Sequence, residues 1–123
     1  MHNQYEGGFV DDQQEGQGVF TKKTGEVYEG EFVKDKRHGV GAVTSPSGSS
    51  YQGEFKNDKK HGKGIHKYAN GSTFSGFWRE GRIHSLRGKH TFQNGRVEWQ
   101  RWDEGKFIER LETGDLAELE HPE

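Results

Sequence analysis

The sequence predicts an all-β protein, built as a single elongated, twisted antiparallel sheet of consecutive β-hairpins. Three observations support this fold class. Aromatic segments start 23 residues apart, at Tyr5, Tyr28, Tyr51 and Phe74. The 19 glycines recur in columns with the same period. Only 27% of the 123 residues are hydrophobic while 12% are aromatic, so each unit must pack on its neighbours instead of on a second layer.

Each unit is predicted to contain two strands and two turns. Tyr28 and Phe32 alternate with residues of other types, which is the period of a strand with two different faces. Residues 34–39 form a polar turn, and a second strand follows over about 40–44. The Ser-Pro-Ser-Gly segment at 45–48 closes the unit, because Ser-Gly pairs tolerate positive φ.

The glycines inside the strands have a packing explanation. Gly53 lies between Tyr51 and Phe55 and leaves a gap on the aromatic face. Rings of neighbouring strands can fill such gaps and cover backbone in place of a second layer. We therefore expect stability to grow with repeat number and the ends of the array to need caps.

The second unit resembles a MORN repeat, whose pattern is Y-E-G-E-W/F, a turn, H-G-x-G and a closing D/N-G. It contains Tyr-Glu-Gly-Glu-Phe at 28–32 and His-Gly-Val-Gly at 38–41. The third unit is the closest match and departs only at Gln52. The first unit has Glu-Gly in place of His-Gly. The fourth has Ser85 and Arg87 in place of the two glycines, with one extra residue before Gly88.

This resemblance divides the chain into two parts. A MORN array is expected over residues 1–107, with repeats starting near 5, 28, 51 and 74 and a degenerate one near 98. Residues 108–123 form an acidic C-terminal cap or tail. The resemblance implies a curved sheet with an aromatic-lined groove that serves as a scaffold or docking surface. Members occur in ciliary, cytoskeletal and membrane-junction proteins and as accessory domains of lipid kinases and SET methyltransferases, with no common catalytic activity.

The aromatic columns are the first candidate site. The rings either hold the sheet together or line a groove for an extended or helical segment of a partner protein. Because a single sheet should leave much aromatic surface uncovered, and large exposed patches mark interfaces, the groove is favoured. Four or five units at about 10 Å each would span about 40–50 Å. The candidate groove residues are Tyr28, Phe32, Tyr51, Phe55, Phe74 and Trp78.

Basic residues at the same turn of successive units are the second candidate site. They are expected to stack along one sheet edge and comprise Lys36, Arg37, Lys59, Lys60 and Arg82. Residues 34–101 contain fourteen bases and five acids, although the net charge of the chain is −2. The lysines could simply prevent edge-to-edge aggregation. Alternatively, they bind an acidic surface, such as anionic phospholipid, an acidic protein segment or the chain's own C-terminus.

Several chemical functions are not expected. The chain has no cysteine, so thiolate metal sites and disulfides are impossible. His38, His61 and His84 lie one unit apart, at about 10 Å, which is too far to share a metal ion. The Gly-x-Gly pairs lack the remainder of a phosphate loop, and no nucleophile is placed beside a base. We therefore expect no enzyme, metal, cofactor or nucleic-acid partner.

The C-terminal segment has the spacing of a short helix, with Asp115 as N-cap and Leu116 and Leu119 on one face. It is expected either to cap the last strand or to lie along the basic edge and compete with the partner. The chain lacks an apolar run of the about 20 residues needed to span a membrane and lacks a signal-peptide core, so a cytoplasmic protein is expected. A cytoskeletal or ciliary assembly is a plausible setting.

These features favour a non-catalytic protein–protein interaction scaffold. The alternative is a peripheral membrane adaptor that binds anionic phospholipid through the basic edge. Self-association through terminal strand edges is a third hypothesis.

Overall fold

The computed structural model describes residues 2–112, which form one open antiparallel sheet of eleven strands. The predicted fold class is confirmed. Neighbours in the sheet are neighbours in sequence, except that β8 pairs only with β7 and β9 continues the sheet. The described residues contain no helix that could cross a membrane. The predicted C-terminal helix lies outside them. The strands are β1 Gln4–Val10, β2 Gln13–Thr21, β3 Val27–Val33, β4 Lys36–Thr44, β5 Ser50–Lys56, β6 Lys59–Lys67, β7 Thr73–Arg79, β8 Arg82–Ile83, β9 Ser85–Thr91, β10 Val97–Asp103 and β11 Lys106–Arg110.

The turns inside the hairpins are shorter than the sequence predicted. In the second unit, Lys34 and Asp35 have φ values of 47° and 69°, which is the left-handed backbone of a two-residue type I′ turn. β4 therefore begins directly after the turn, at Lys36. The predicted turn over 34–39 was wrong because polar composition does not distinguish a turn from a strand with polar side chains.

A bulge then interrupts the pairing of β3 with β4. Gly39 has a φ of 82° there, a backbone conformation that favours glycine. The carboxylate of Glu31 accepts a hydrogen bond from the Val40 amide at 2.6 Å. In the third unit, Glu54 accepts from the Lys63 amide at 2.7 Å. The second glutamate of the repeat therefore stabilises the bulge that follows the hairpin turn.

The second glycine of each Gly-x-Gly pair lies beneath an aromatic ring. A methyl group added to Gly41 would lie 2.5 Å from Cζ of Tyr28, and one added to Gly64 would lie 2.5 Å from Cε1 of Tyr51. The Tyr28 hydroxyl donates a hydrogen bond to the Glu31 carbonyl at 2.8 Å. The predicted role of glycine in making room for rings is therefore confirmed at these positions. At Gly53, where the role was predicted, an added methyl group would lie 2.5 Å from the Gly64 backbone and 2.7 Å from the hydroxyl of Tyr51 on its own strand.

The irregular fourth unit keeps this geometry by a small rearrangement. The strand breaks at His84, between β8 and β9, and the extra residue brings Gly88 beneath the Phe74 ring. A methyl group on Gly88 would lie 2.6 Å from Cε1 of that ring. Phe74 has no hydroxyl, and the Phe77 carbonyl instead accepts from the His84 amide at 2.9 Å.

The core is a zigzag of aromatic rings on one face of the sheet, which we call the ring face. Ring centroids lie 5.1–6.0 Å apart, and the planes meet edge to face. Each unit contributes a ring that contacts the preceding unit, so the zigzag joins all units. In order, the rings are Phe9, Tyr5, Phe32, Tyr28, Phe55, Tyr51, Trp78, Phe74, Trp102 and Phe107.

Candidate functional site

The six rings predicted to line a groove form the core of the protein. Their exposed fractions lie between 0 and 5%. The expectation that a single sheet leaves these rings uncovered was wrong, because rings of adjacent units cover one another and glycine backbone lies beneath the tyrosines and Phe74. The rings are Tyr28, Phe32, Tyr51, Phe55, Phe74 and Trp78. They can contribute to binding only where the ring face carries a depression.

Two residues of the predicted basic edge cover these rings. The Arg37 guanidinium lies 5.6 Å from the ring centroid of Tyr28 and 5.0 Å from that of Phe55. The Lys60 ammonium lies 4.9 Å from the centroid of Tyr51. Burial, together with the nearby Arg37 charge, lowers the pKa of Lys60. Both cations therefore stabilise the core by cation–π contact.

The other three predicted cations, Lys36, Lys59 and Arg82, are exposed. Adjacent residues of a strand point to opposite faces, so Lys36 and Lys59 lie on the face opposite Arg37 and Lys60. The five cations stand at the start of β4, β6 and β8, directly after the hairpin turns, but their side chains are divided between two faces of the sheet and do not form one basic surface.

On the side of the sheet opposite the ring face, five exposed lysines of β5, β6 and β9 form what we call the lysine face. Residues at alternate positions of one strand share a face, and the strand register joins these positions across neighbouring strands. The lysine face therefore lies back to back with the aromatic core. It comprises Lys56, Lys59, Lys63, Lys67 and Lys89.

The ring face carries a groove of about 230 Å³ over the first two units. Phe20, Tyr28 and Phe32 supply its aromatic surface. The groove therefore brings together three of the predicted site residues, Tyr28, Phe32 and Arg37. The other predicted residues do not line it. Its full lining is Asn3, Gln14, Phe20, Lys22, Glu26, Tyr28, Phe32, Asp35, Arg37 and Asp58.

The hairpin turns build one rim of this groove. The Asp35 amide donates to the Gln14 carbonyl at 3.0 Å, and the Asp35 carboxylate accepts from the Gln14 amide at 2.7 Å. Asp58 repeats this exchange with Arg37 at 2.9 and 3.2 Å. Asp58 also pairs with the Arg37 guanidinium at 2.9 Å. This role of aspartate was not predicted from the sequence, although aspartate recurs at 12, 35 and 58 with the period of the repeat.

The opposite rim lies at the loop between the first two units. There the Lys22 ammonium pairs with the Glu26 carboxylate at 3.1 Å. Asn3 lines the same end and accepts a hydrogen bond from the Lys23 amide at 2.7 Å. Phe20 and Lys22 were not among the predicted site residues. Phe20 occupies the position that holds Val43 in the second unit and His66 in the third, so its difference from these residues was the available signal.

The histidine column joins adjacent units. Nδ1 of His38, His61 and His84 each lies 3.4 Å from a turn amide of the following unit. His84 differs from the others, since Asp103 and Glu104 carboxylates lie 3.2 and 3.7 Å from its Nδ1. These three residues could geometrically hold a metal ion. Glu104 also pairs with Arg79, and this hydrogen bond is the main cause of its lowered pKa.

A second run of aromatic side chains lies at the loop end of the third and fourth units. The ring centroids of His66 and Tyr68 are 4.5 Å apart, those of Tyr68 and His90 are 5.9 Å apart, and those of His90 and Phe92 are 4.4 Å apart. Burial is the main cause of the lowered pKa of His66 and of His90. Both imidazoles are therefore held in the neutral form more strongly than a solvated histidine.

A continuous sheet in which each unit packs on the next defines a tandem-repeat scaffold. The family model for the MORN repeat matches residues 5–27, 28–50 and 51–73. These matches cover more than half of the chain, which therefore belongs to the MORN-repeat family. MORN repeats are in general non-enzymatic repeats that bind proteins or membranes. No curated protein matches the chain.

Proposed function

We propose that this protein is a non-catalytic interaction scaffold that binds an extended segment of a partner protein in the ring-face groove of its first two units. The observation that carries this proposal is the groove of about 230 Å³, with aromatic walls between two polar rims, on a face whose other rings cover one another. Such a volume suits one or two anchoring side chains and is too small for a whole helix.

The lining of the groove indicates the chemistry of the partner. Phe20, which is half-buried, favours an aliphatic or aromatic anchor, whereas Tyr28 and Phe32 are each 3% exposed and contribute little accessible ring surface. Lys22 at the loop rim, and Arg37 with Asp58 at the hairpin rim, offer hydrogen-bond donors and acceptors to a peptide backbone crossing the sheet. The pairing of these charges leaves the groove nearly neutral, so specificity for a strongly charged segment is not expected.

The test is a selection from a phage library of random peptides, followed by calorimetric titration of the selected peptide. Phe20→Ala and Lys22→Glu should each weaken binding, the first by about tenfold or more, since buried aromatic contacts dominate such interfaces. Lys23→Glu is the matched control, because Lys23 is the adjacent lysine and does not line the groove. Circular dichroism checks the fold. The groove would be rejected as the binding site if both variants bound the peptide as tightly as the wild type. It would also be rejected if Lys23→Glu lost as much affinity as they do.

The second candidate function is a peripheral membrane adaptor. The observation that favours it is the lysine face, where five cations share one exposed surface. Arg37 and Lys60 are not suitable ligands for a phospholipid headgroup, because they cover core rings. The protein should sediment with vesicles of phosphatidylserine and phosphatidylcholine but not with vesicles of phosphatidylcholine alone. Lys56→Glu combined with Lys59→Glu should abolish sedimentation with the anionic vesicles. Absence of sedimentation with the anionic vesicles rejects the candidate.

For either function the proposed setting is the cytoplasm, with a cytoskeletal or ciliary assembly as one source of the partner. Imaging of the fluorescently tagged protein, with microtubule and membrane markers in the same cells, tests this setting.

A further inference from the structure

The lysine face has an apolar centre. Ile65 lies between Lys63 and Lys67 on β6, and its side chain is 52% exposed. Alternate residues of a strand are about 6.8 Å apart, so the Cα atoms of the two lysines lie about that far from Ile65 along the strand. In the strand register, Ile65 is opposite Gln52 on one side and Ser75 on the other. Neither neighbour covers it.

The same surface continues toward the C-terminal end of the sheet. Ser75 is opposite Lys89, whose ammonium lies 5.9 Å from the ring centroid of Trp99 on β10. Phe77 is opposite Lys63 and is partly exposed. Cations and apolar groups therefore alternate from β6 to β10.

The acids around this surface leave much of its charge unbalanced. Within residues 2–112, Lys59 is the lysine of this face that forms an ion pair, with Glu80 at 3.5 Å. The Glu54 carboxylate lies on the same face but accepts from the Lys63 backbone amide. An acidic segment that also carries apolar side chains would complement the surface in both charge and polarity.

The chain contains such a segment beyond the described residues. Residues 113–123 carry four acids, namely Asp115, Glu118, Glu120 and Glu123, and no lysine or arginine. Leu116 and Leu119 lie among these acids. The sequence of the segment is therefore complementary to the lysine face.

The segment starts within reach of that face. The Leu111 amide donates to the Trp99 carbonyl at 2.8 Å, so the chain leaves the sheet beside the Trp99 end of the surface. β6 is three strands from β10, which corresponds to about 15 Å. The residues that follow Leu111 could span about 36 Å or more if extended. Docking therefore requires no rearrangement of the sheet.

We propose that residues 113–123 dock on the lysine face of the same molecule, with the leucines against Ile65 and Phe77 and the carboxylates beside Lys63, Lys67 and Lys89. The lysine face is opposite the groove, so docking on it is independent of peptide binding in the groove.

The test uses the full chain and paramagnetic relaxation enhancement. Because the sequence has no cysteine, Glu120→Cys provides a single site for a nitroxide label. The Ile65 methyl resonances should broaden strongly, and those of Val19, on the same side of the sheet in the first unit, should not. Broadening should decrease in about 1 M NaCl, where the Debye length is about 3 Å.

Charge reversal supplies the matched comparison. Lys63→Glu with Lys67→Glu should abolish the broadening at Ile65, whereas Lys23→Glu with Lys34→Glu, which changes the net charge equally, should preserve it. Broadening restricted to β11 and its neighbours, or unchanged after reversal at Lys63 and Lys67, overturns the proposal. A mixture of labelled and isotopically enriched molecules is the last arm. Equal broadening there would show docking between molecules and would also overturn it.

Discussion

Gly64→Ala tests whether the repeat glycines are required by ring packing. The new methyl group would lie 2.5 Å from Cε1 and 2.6 Å from Cζ of Tyr51, both well inside contact distance. The ring cannot easily move away, because Phe55 and Trp78 pack against it with centroids 5.3 and 5.1 Å away. Its hydroxyl also donates to the Glu54 carbonyl at 3.0 Å. Overpacking of this kind costs about 1–3 kcal/mol.

The lower conformational entropy of the unfolded Gly64→Ala chain opposes this steric cost but is smaller. Alanine restricts the unfolded chain and would stabilise the protein by about 0.4–1 kcal/mol if the native backbone accepted it. Gly64 has no positive φ, so its backbone imposes no further cost. The net expectation is a loss of about 1–2 kcal/mol in the free energy of unfolding. With a urea m-value of about 1–3 kcal/mol per M, the midpoint should fall by about 0.5–1 M.

Urea denaturation followed by tryptophan fluorescence measures this shift. Gly48→Ala is the comparison, since no atom lies within 4 Å of the added methyl group and its φ of 96° imposes only a backbone cost. The two variants therefore separate steric overlap from backbone strain. A Gly64→Ala midpoint at or above that of the wild type would refute the account of glycine as space for the ring.

Two further predictions concern pH and the joints between units. Burial holds the pKa of His66 and of His90 below the ordinary value of 6.5, so the unfolded chain binds more protons below that pH. The contribution of these two histidines to the free energy of unfolding should therefore be constant above about pH 7 and fall as the pH drops through 6.5. Replacing both histidines by valine should reduce the change in urea midpoint between pH 7.5 and pH 5.5. Asp58→Ala removes the carboxylate that bonds the preceding unit and should cost about 1–2 kcal/mol. Asp12→Ala is its control, because Asp12 makes no such bond among residues 2–112. Equal urea midpoints for the two variants would contradict the stabilising role of the Asp58 carboxylate between units.

The period of the sequence was sufficient to predict the fold, since a repeat of 23 residues fixes where each strand and each glycine recurs. It did not predict how much ring surface remains exposed. The exposed fraction of Tyr51 is 1% because Trp78, from the next unit, packs on it, and only the three-dimensional spacing of units reveals this. The division of Lys36 from Arg37 also depended on the exact turn length. A turn that ends at Asp35 puts both residues in a strand, where they face opposite ways.

The groove was harder to predict because it depends on residues outside the repeat pattern. The position occupied by Phe20 holds Val43 in the second unit and His66 in the third, and the pattern does not constrain it. The bulge, in contrast, depends on Glu31, which the pattern does specify, so its place was predictable once the turn was known.

Positions that repeat in every unit and positions that differ between units have different consequences for binding. Residues that match the repeat pattern, such as Tyr51 and Gly64, are buried by packing and have the same surroundings from one unit to the next. Under the two proposals above, binding specificity comes from positions that differ between units, as Phe20 does in the groove and Ile65 does on the lysine face. A regular array of identical units would present one surface several times. The unequal units of this chain present two distinct surfaces on opposite faces: the groove shares Tyr28 and Phe32 with the ring core, whereas the lysine face lies on the other side of the sheet.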